Sequence, residues 1–181
     1  ESCRPNPRSP YAVSKLSAEY YIRSIGDLWG IETVCLRVFN AYGPGQRMPP
    51  TNAPVIPYCI RQALDRGTIV VHGEGKQTRD YVYIDDVVDA MTAASSTPDI
   101  NRLIINVGSG KETSVNDIIK RVVEITHAKP EIVMNKTHDS GPARMCADLG
   151  LAKRKLGFSP KVSLAEGLRR TIESDPRFHK E

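Results

Sequence analysis

The sequence predicts an α/β fold of mixed type. Two observations carry this. Apolar residues recur at helical spacing in some stretches and gather into short β-branched runs in others, and the two patterns alternate along the chain. The later runs are short and parted by long loops, which argues for a mixed, insertion-built sheet rather than a cleanly parallel one. At 181 residues the chain can bury a real core as one domain, or as a small domain plus part of another.

The elements follow in order. Ser9-Pro10 opens a helix, with a side-chain cap for the orphan N–H groups and a proline whose missing N–H costs nothing in the first turn. The apolar rhythm runs to about residue 28 and ends near Gly30. Residues 32–38 (ETVCLRV) form a buried strand, and a Gly- and Pro-rich loop fills 40–54. An amphipathic helix over 54–66 is closed by Gly67. Residues 69–71 and 81–84 are short strands with a turn at 73–76 between them. Asp85 and Asp86 sit at the positive end of a helix over 85–95. A strand at 103–107 follows, then a helix to about residue 127 started by the box-like Ser114-Val115-Asn116-Asp117. Residues 131–134 are a short strand. Helices over 147–156, ended by Gly157, and 163–174 complete the chain.

Composition excludes several function classes. The net charge of +4 comes from scattered basic residues rather than a patch, so nucleic acid is not an expected partner. An acidic small molecule accounts for local positive charge equally well. No apolar stretch approaches the ~18 residues of a membrane span, and no signal peptide is recognisable. Cys3, Cys35, Cys59 and Cys146 lack C-x-x-C spacing, and Cys35 and Cys59 lie in apolar runs. Reduced, mostly buried thiols in a cytoplasmic protein are expected. No His/Cys set has zinc spacing, and Asp85, Asp86 and Asp89 read as an acidic helix start, so no metal is expected. Gly108-Ser109-Gly110 has Thr113 where a dinucleotide fingerprint has its third glycine. Gly110-Lys111 is followed by Glu112 rather than Ser or Thr, which discards a phosphate loop as well. Both stretches read as a strand-to-helix turn.

Tyr11 and Lys15 lie four apart on the first helix, so their side chains share a face. An ammonium held near a phenol favours the phenolate, which makes Tyr11 a candidate general acid/base. A Tyr–Lys pair on a solvated helix face is the plain alternative, and the motif alone does not decide. Its surroundings add to it. Pro7-x-Ser9-Pro10-Tyr11-Ala12-x-Ser14-Lys15-x-x-x-Glu19 is followed by Leu36-Arg37-Val38-Phe39-Asn40-Ala41-Tyr42-Gly43-Pro44-Gly45-Gln46, then Val55-Ile56-Pro57. Next come Gly73 to Val87 (GEGKQTRDYVYIDDV), Asn106-Val107-Gly108-Ser109-Gly110, Ala147-Asp148, Leu156-Gly157-Phe158-x-Pro160 and Leu164-x-Glu166-Gly167. In this order, over nearly the whole chain, they resemble the extended short-chain dehydrogenase/reductase family, specifically its NAD-dependent epimerases and dehydratases of UDP-glucose 4-epimerase-like type.

The resemblance implies the C-terminal part of a Rossmann-like doubly wound sheet plus a smaller mixed α/β substrate-binding domain. Residues 1–50 would end the NAD-binding domain, 51–181 would bind substrate, and 80–110 would return to the Rossmann sheet. It implies a cytoplasmic enzyme that uses NAD and acts on a nucleoside-diphosphate sugar, a UDP-sugar being favoured, by C4 epimerisation. A 4,6-dehydratase and a non-catalytic nucleotide-binding protein are the alternatives. In the family the Tyr takes a proton from a sugar hydroxyl while hydride passes to nicotinamide, and the Lys binds the nicotinamide ribose; Tyr11 and Lys15 match, with Val38 also on the cofactor side. Asn40 and Arg79 match the diphosphate ligands, a sensible choice because an amide donor and a guanidinium fork suit phosphate oxygens. An ion pair of Arg79 with Asp80 or Asp85, and a turn role for Asn40, are the plain alternatives. Val55 falls on the substrate side, His72 where a residue meets the nucleobase, Arg144 near the nucleotide, and Met145 where side-chain bulk limits the sugar. Asn52 resembles a loop Asn but falls about two positions early. A homodimer through a helix bundle would use Ala18, Tyr21, Ile22 and Ile25. The resemblance places the Gly-rich phosphate turn, the ribose-binding acid and the catalytic Ser/Thr ahead of Glu1, so this chain alone is expected to be inactive, with an exposed sheet edge.

Overall fold

The structure, a computed structural model, describes residues 1–51, 53–135 and 143–179. Asn52 lies outside the described residues. The order is α1 (Pro10–Trp29), β1 (Cys35–Val38), β2 (Asn40–Tyr42), α2 (Val55–Leu64), β3 (Thr68–His72), β4 (Thr78–Tyr83) and α3 (Ile84–Ser96). Then come β5 (Ile104–Val107), β6 (Glu112–Ser114), α4 (Val115–Thr126), β7 (Glu131–Asn135), α5 (Gly150–Leu156), α6 (Leu164–Ser174) and a 3₁₀ turn at Pro176–Phe178.

The helix ends follow local chemistry. Ser9 Oγ accepts from Ala12 N at 3.1 Å and Gly30 closes α1 at φ 64°. The capping box of α4 is present: Ser114 Oγ accepts from Asp117 N, and Asp117 Oδ2 accepts from Ser114 N. The Ser114 hydroxyl, which also donates to Asp117 Oδ2, and the Ser114 backbone N–H together hold the Asp117 carboxyl below the usual carboxylate range. After α2 the left-handed residue is Arg66 (φ 53°), not Gly67.

Three expectations change. The loop at 40–54 begins with β2, because the chain changes sheet partner at Phe39. β1 pairs in parallel with β5, and Phe39 N still donates to Val107 O, but from Asn40 onward the partner is β4. β6 was not expected; three polar residues carry no periodic signal, yet they pair antiparallel with the start of β4. The helix expected from 147 starts at Gly150, because Asp148 Oδ1 accepts from Gly150 N at 2.7 Å and holds a turn. The sheets are thus mixed: parallel β1–β5, β2–β4 and β3–β7, antiparallel β4–β6.

Strand alternation makes the β2–β4 ladder a wall between two cores. On one side Tyr42, Tyr81 and Tyr83 pack with Ile56, Ile60, Ile118 and Leu168 from α2, α4 and α6. On the other, Val82 packs with Val87, Ala90, Ile105, Val107 and Ala152. Buried carboxylates tie the loops down. Asp86 accepts from Lys161 N (2.8 Å) and Val162 N (3.1 Å), a tertiary role beyond the acidic helix start expected of it. Asp175 accepts from Gly45 N at 2.9 Å and pairs with Arg177, which holds its carboxyl well below the usual range. Cys35 and Cys59 are buried as expected, and burial pushes the Cys59 thiol up to about 12; Cys3 and Cys146 are exposed.

Candidate active site

Tyr11, Lys15 and Glu19 recur every four residues and form one stripe on α1. Lys15 Nζ lies 5.6 Å from the Tyr11 ring centroid, and Ser14 Oγ donates to Tyr11 O. Glu19 takes both arms of Arg37 on β1, at 2.9 Å from Nε and 2.8 Å from Nη2. Further along the helix, Gly26 abuts Thr33, which precedes β1, and Asp27 pairs with Arg102 ahead of β5. The helix therefore runs antiparallel to β1. Tyr11, about 12 Å along the axis from Glu19 at 1.5 Å per residue, lies toward the C-terminal end of the strand, where Val38 and Asn40 follow. Ligands of open α/β sheets bind at that end. Tyr11 is 71% exposed, and Lys15 and Val38 are exposed too.

Glu19 and Arg37 are 11% and 30% exposed, shielded enough for a bidentate pair to matter. A double-mutant cycle with Glu19→Ala and Arg37→Ala, read by denaturation, should give a coupling of about 1–2 kcal/mol. A coupling within error of zero would mean that the pair does not hold α1 to the sheet.

A second group gathers in a cleft of about 410 Å³ that Asn40, Gln46, Val55, Gln77, Arg79 and Tyr81 help to line. Register puts Asn40 beside Tyr81, and Asn40 Nδ2 donates to Asp80 O at 2.9 Å. One amide hydrogen is thereby fixed and the other is turned away from that bond. Arg79 Nη1 donates to Thr78 O at 2.8 Å. Asp80 accepts from Ser109 and Gly110, and Asp85 pairs with Arg170. Burial pushes the Tyr81 hydroxyl up to about 12 and raises that of Tyr42 as well, so neither serves as a base near neutral pH.

The other expected substrate residues, His72, Arg144 and Met145, are not among those that line this cleft. His72 is exposed at the end of β3, and its carbonyl accepts from Gln77 Nε2, a cleft residue, at 3.2 Å. Arg144 and Met145 run beside the start of β4, with Met145 N donating to Thr78 O. The Arg144 guanidinium is held by Glu112 at 2.6–3.1 Å. Gln46, Gln77 and Tyr81 were not singled out from sequence as site residues, although each lies within a quoted motif. Gln46 Oε1 is buried in the wall with no hydrogen-bond donor among the described residues. The Gly108-Ser109-Gly110 turn points two N–H groups at Asp80, so it holds a carboxylate of its own chain rather than a phosphate.

Comparison with known proteins follows the same lines. Residues 1–108 match the family described as the NAD dependent epimerase/dehydratase family. A UDP-glucose 4-epimerase of Thermotoga maritima, solved with UDP-glucose, superposes with a TM-score of 0.87 at 37% identity, over 93% of this chain and 54% of that one. A UDP-glucose 4-epimerase of Mycolicibacterium smegmatis is 34% identical over 168 residues, 93% of this chain and 53% of its own length. A UDP-N-acetyl-alpha-D-glucosaminuronate decarboxylase of Bacillus cytotoxicus is 35% identical over 173 residues, covering 92% of this chain and 53% of the decarboxylase. The chain thus spans about half the length of the relatives it matches, and their fold is Rossmann-like α/β.

Proposed function

Because the chain belongs to the NAD-dependent epimerase/dehydratase family, we propose that it forms part of an enzyme that inverts C4 of a UDP-sugar by transient hydride transfer. The observation that carries this is one placement. The Tyr11–Lys15 stripe lies toward the end of β1, and the chain turns there into the cleft of Asn40, Val55 and Arg79.

Tyr11 Oη accepts the proton of the sugar hydroxyl and returns it. Lys15 binds the cofactor ribose and sets a positive charge beside that oxygen. The exposed Tyr11, Lys15 and Val38 fit the nicotinamide end of NAD, which when bound supplies the hydride acceptor and donor. Asn40 and Arg79 grip the diphosphate, Val55 packs on the substrate, and His72 stacks on the base. Met145 limits the sugar, and Arg144 approaches the nucleotide by exchanging Glu112 for phosphate. Residues 1–50 belong with the cofactor domain and 51–181 with the substrate domain. Within the latter, 80–110 return to the first sheet, a division supported by the β1–β5 pairing.

Product analysis of the natural full-length protein with UDP-glucose, UDP-N-acetylglucosamine, UDP-glucuronate and TDP-glucose tests the reading. C4 epimers are expected. A 4-keto-6-deoxy product would make it a dehydratase, and carbon dioxide release a decarboxylase. Nucleotide binding without turnover would make it a non-catalytic relative.

The free thiols fit a reducing cytoplasm. The outer face of α1 exposes Tyr21, Ile22 and Ile25, which a second copy would cover. The full-length protein is expected to sediment as a dimer, and Ile25→Asp as a folded monomer. A wild-type monomer at micromolar concentration would remove that role for α1.

A further inference from the structure

We propose that Asp80 is the positioning residue of the substrate cleft, holding Asn40, Arg79 and the Arg144–Met145 segment at fixed spacing. This rests on the reading of Asn40 and Arg79 as diphosphate ligands.

Asp80 lies on β4 and is 0% exposed, so it cannot touch a substrate in the cleft. Its carboxylate nevertheless collects donors from two distant stretches of chain. Oδ1 accepts from Ser109 N (2.6 Å) and Ser109 Oγ (2.7 Å). Oδ2 accepts from Gly110 N (2.9 Å) and Ala147 N (3.1 Å), with Cys146 Sγ at 3.9 Å. A carboxylate has about four lone-pair sites, and four N–H and O–H donors fill them. Its backbone carbonyl meanwhile accepts from Asn40 Nδ2.

One residue therefore joins the stretches of chain that carry Asn40, Arg79 and Met145. Arg79 precedes it in the chain. Asn40 is fixed by its carbonyl. The segment at 145–147 is sewn to β4 at two points, Met145 N on Thr78 O and Ala147 N on Asp80 Oδ2. Room for the carboxylate depends on Gly108, where a Cβ would stand 2.7 Å from both Asp80 Oδ2 and the Ala147 Cβ. Burying a carboxylate is costly unless donors meet it. An arrangement that meets it fully fixes direction as well as distance, which an apolar side chain of equal volume could not.

The test uses the full-length protein. Asp80→Asn keeps the shape but turns one oxygen into an NH₂ group, which must face backbone N–H donors in either orientation. The KM for UDP-glucose and the calorimetric Kd for UDP should each rise about tenfold or more, with kcat within about threefold, the signature of lost uniform binding. Ser109→Ala, which removes one of the four bonds and leaves the fold intact, should move KM the same way by a smaller factor. It decides the matter if Asp80→Asn does not fold. Folded variants with wild-type KM and Kd would overturn the proposal, as would a fall in kcat at constant KM. A wild-type protein that binds no UDP would overturn the reading beneath it, and the wild-type control separates the two cases.

Discussion

Tyr11→Phe in the full-length protein is expected to lower kcat by about 10²–10⁴-fold, the usual worth of a positioned general acid/base. The hydroxyl belongs to a side chain that is 71% exposed on the first turn of α1, so its loss should leave the melting temperature unchanged. Asn40 and Arg79, on β2 and β4, hold the far end of the substrate in this reading, so KM should also change little. That combination, chemistry lost with binding and stability kept, marks a group acting on the reacting atoms. Steady-state kinetics and a thermal melt of the same preparation check it. A loss smaller than tenfold would remove Tyr11 from the proton transfer.

Gly167→Val is expected to destabilise the fold by about 3 kcal/mol, at the upper end for overpacking, or a melting shift of about 6–12 °C for a chain of this size. Gly167 lies within α6, against the two tyrosines of the shared wall. A Cβ there would stand 2.9 Å from ring carbons of both Tyr42 and Tyr83. Neither ring can step aside. They meet edge to face at 5.6 Å, the Tyr42 hydroxyl donates to Leu164 O, and Arg170 covers Tyr83. Gly167→Ala makes the sharper contrast. Helix propensity alone favours Ala by about 1 kcal/mol, whereas the contact with two fixed rings reverses the sign. A stabilised Ala variant would show that α6 can move away from the wall.

The helices were legible because their signals are local. Ser9-Pro10, Gly30, Gly157 and the Ser114–Asp117 box satisfy orphan backbone groups within one turn, and each stands where the sequence puts it. β6 was not legible because its cause lies elsewhere, and the late start of α5 was not because apolar periodicity does not report a side-chain turn. β6 exists through its pairing with β4, and α5 is delayed by a turn that the Asp148 side chain holds. At the site, the four-residue spacing of Tyr11 and Lys15 is a local fact of helix geometry. The cleft is not, since Asn40, Val55 and Arg79 meet only because β2 leaves β5 and joins β4.

The sequence by itself determined the helices and five of the seven strands among the described residues, the shared face of Tyr11 and Lys15, and, through motifs in order, the family. Those properties depend on periodicity and on neighbours along the chain. Only the tertiary structure decided where the acidic groups go. Asp80, Asp86 and Asp175 carry no signal of a distant partner in the sequence, yet each is buried and ends on backbone N–H groups brought from afar. Glu19 likewise finds its partner in Arg37 across the sheet. A buried carboxylate must be met by donors, and which donors are near enough is set by packing, which no pattern within one segment encodes.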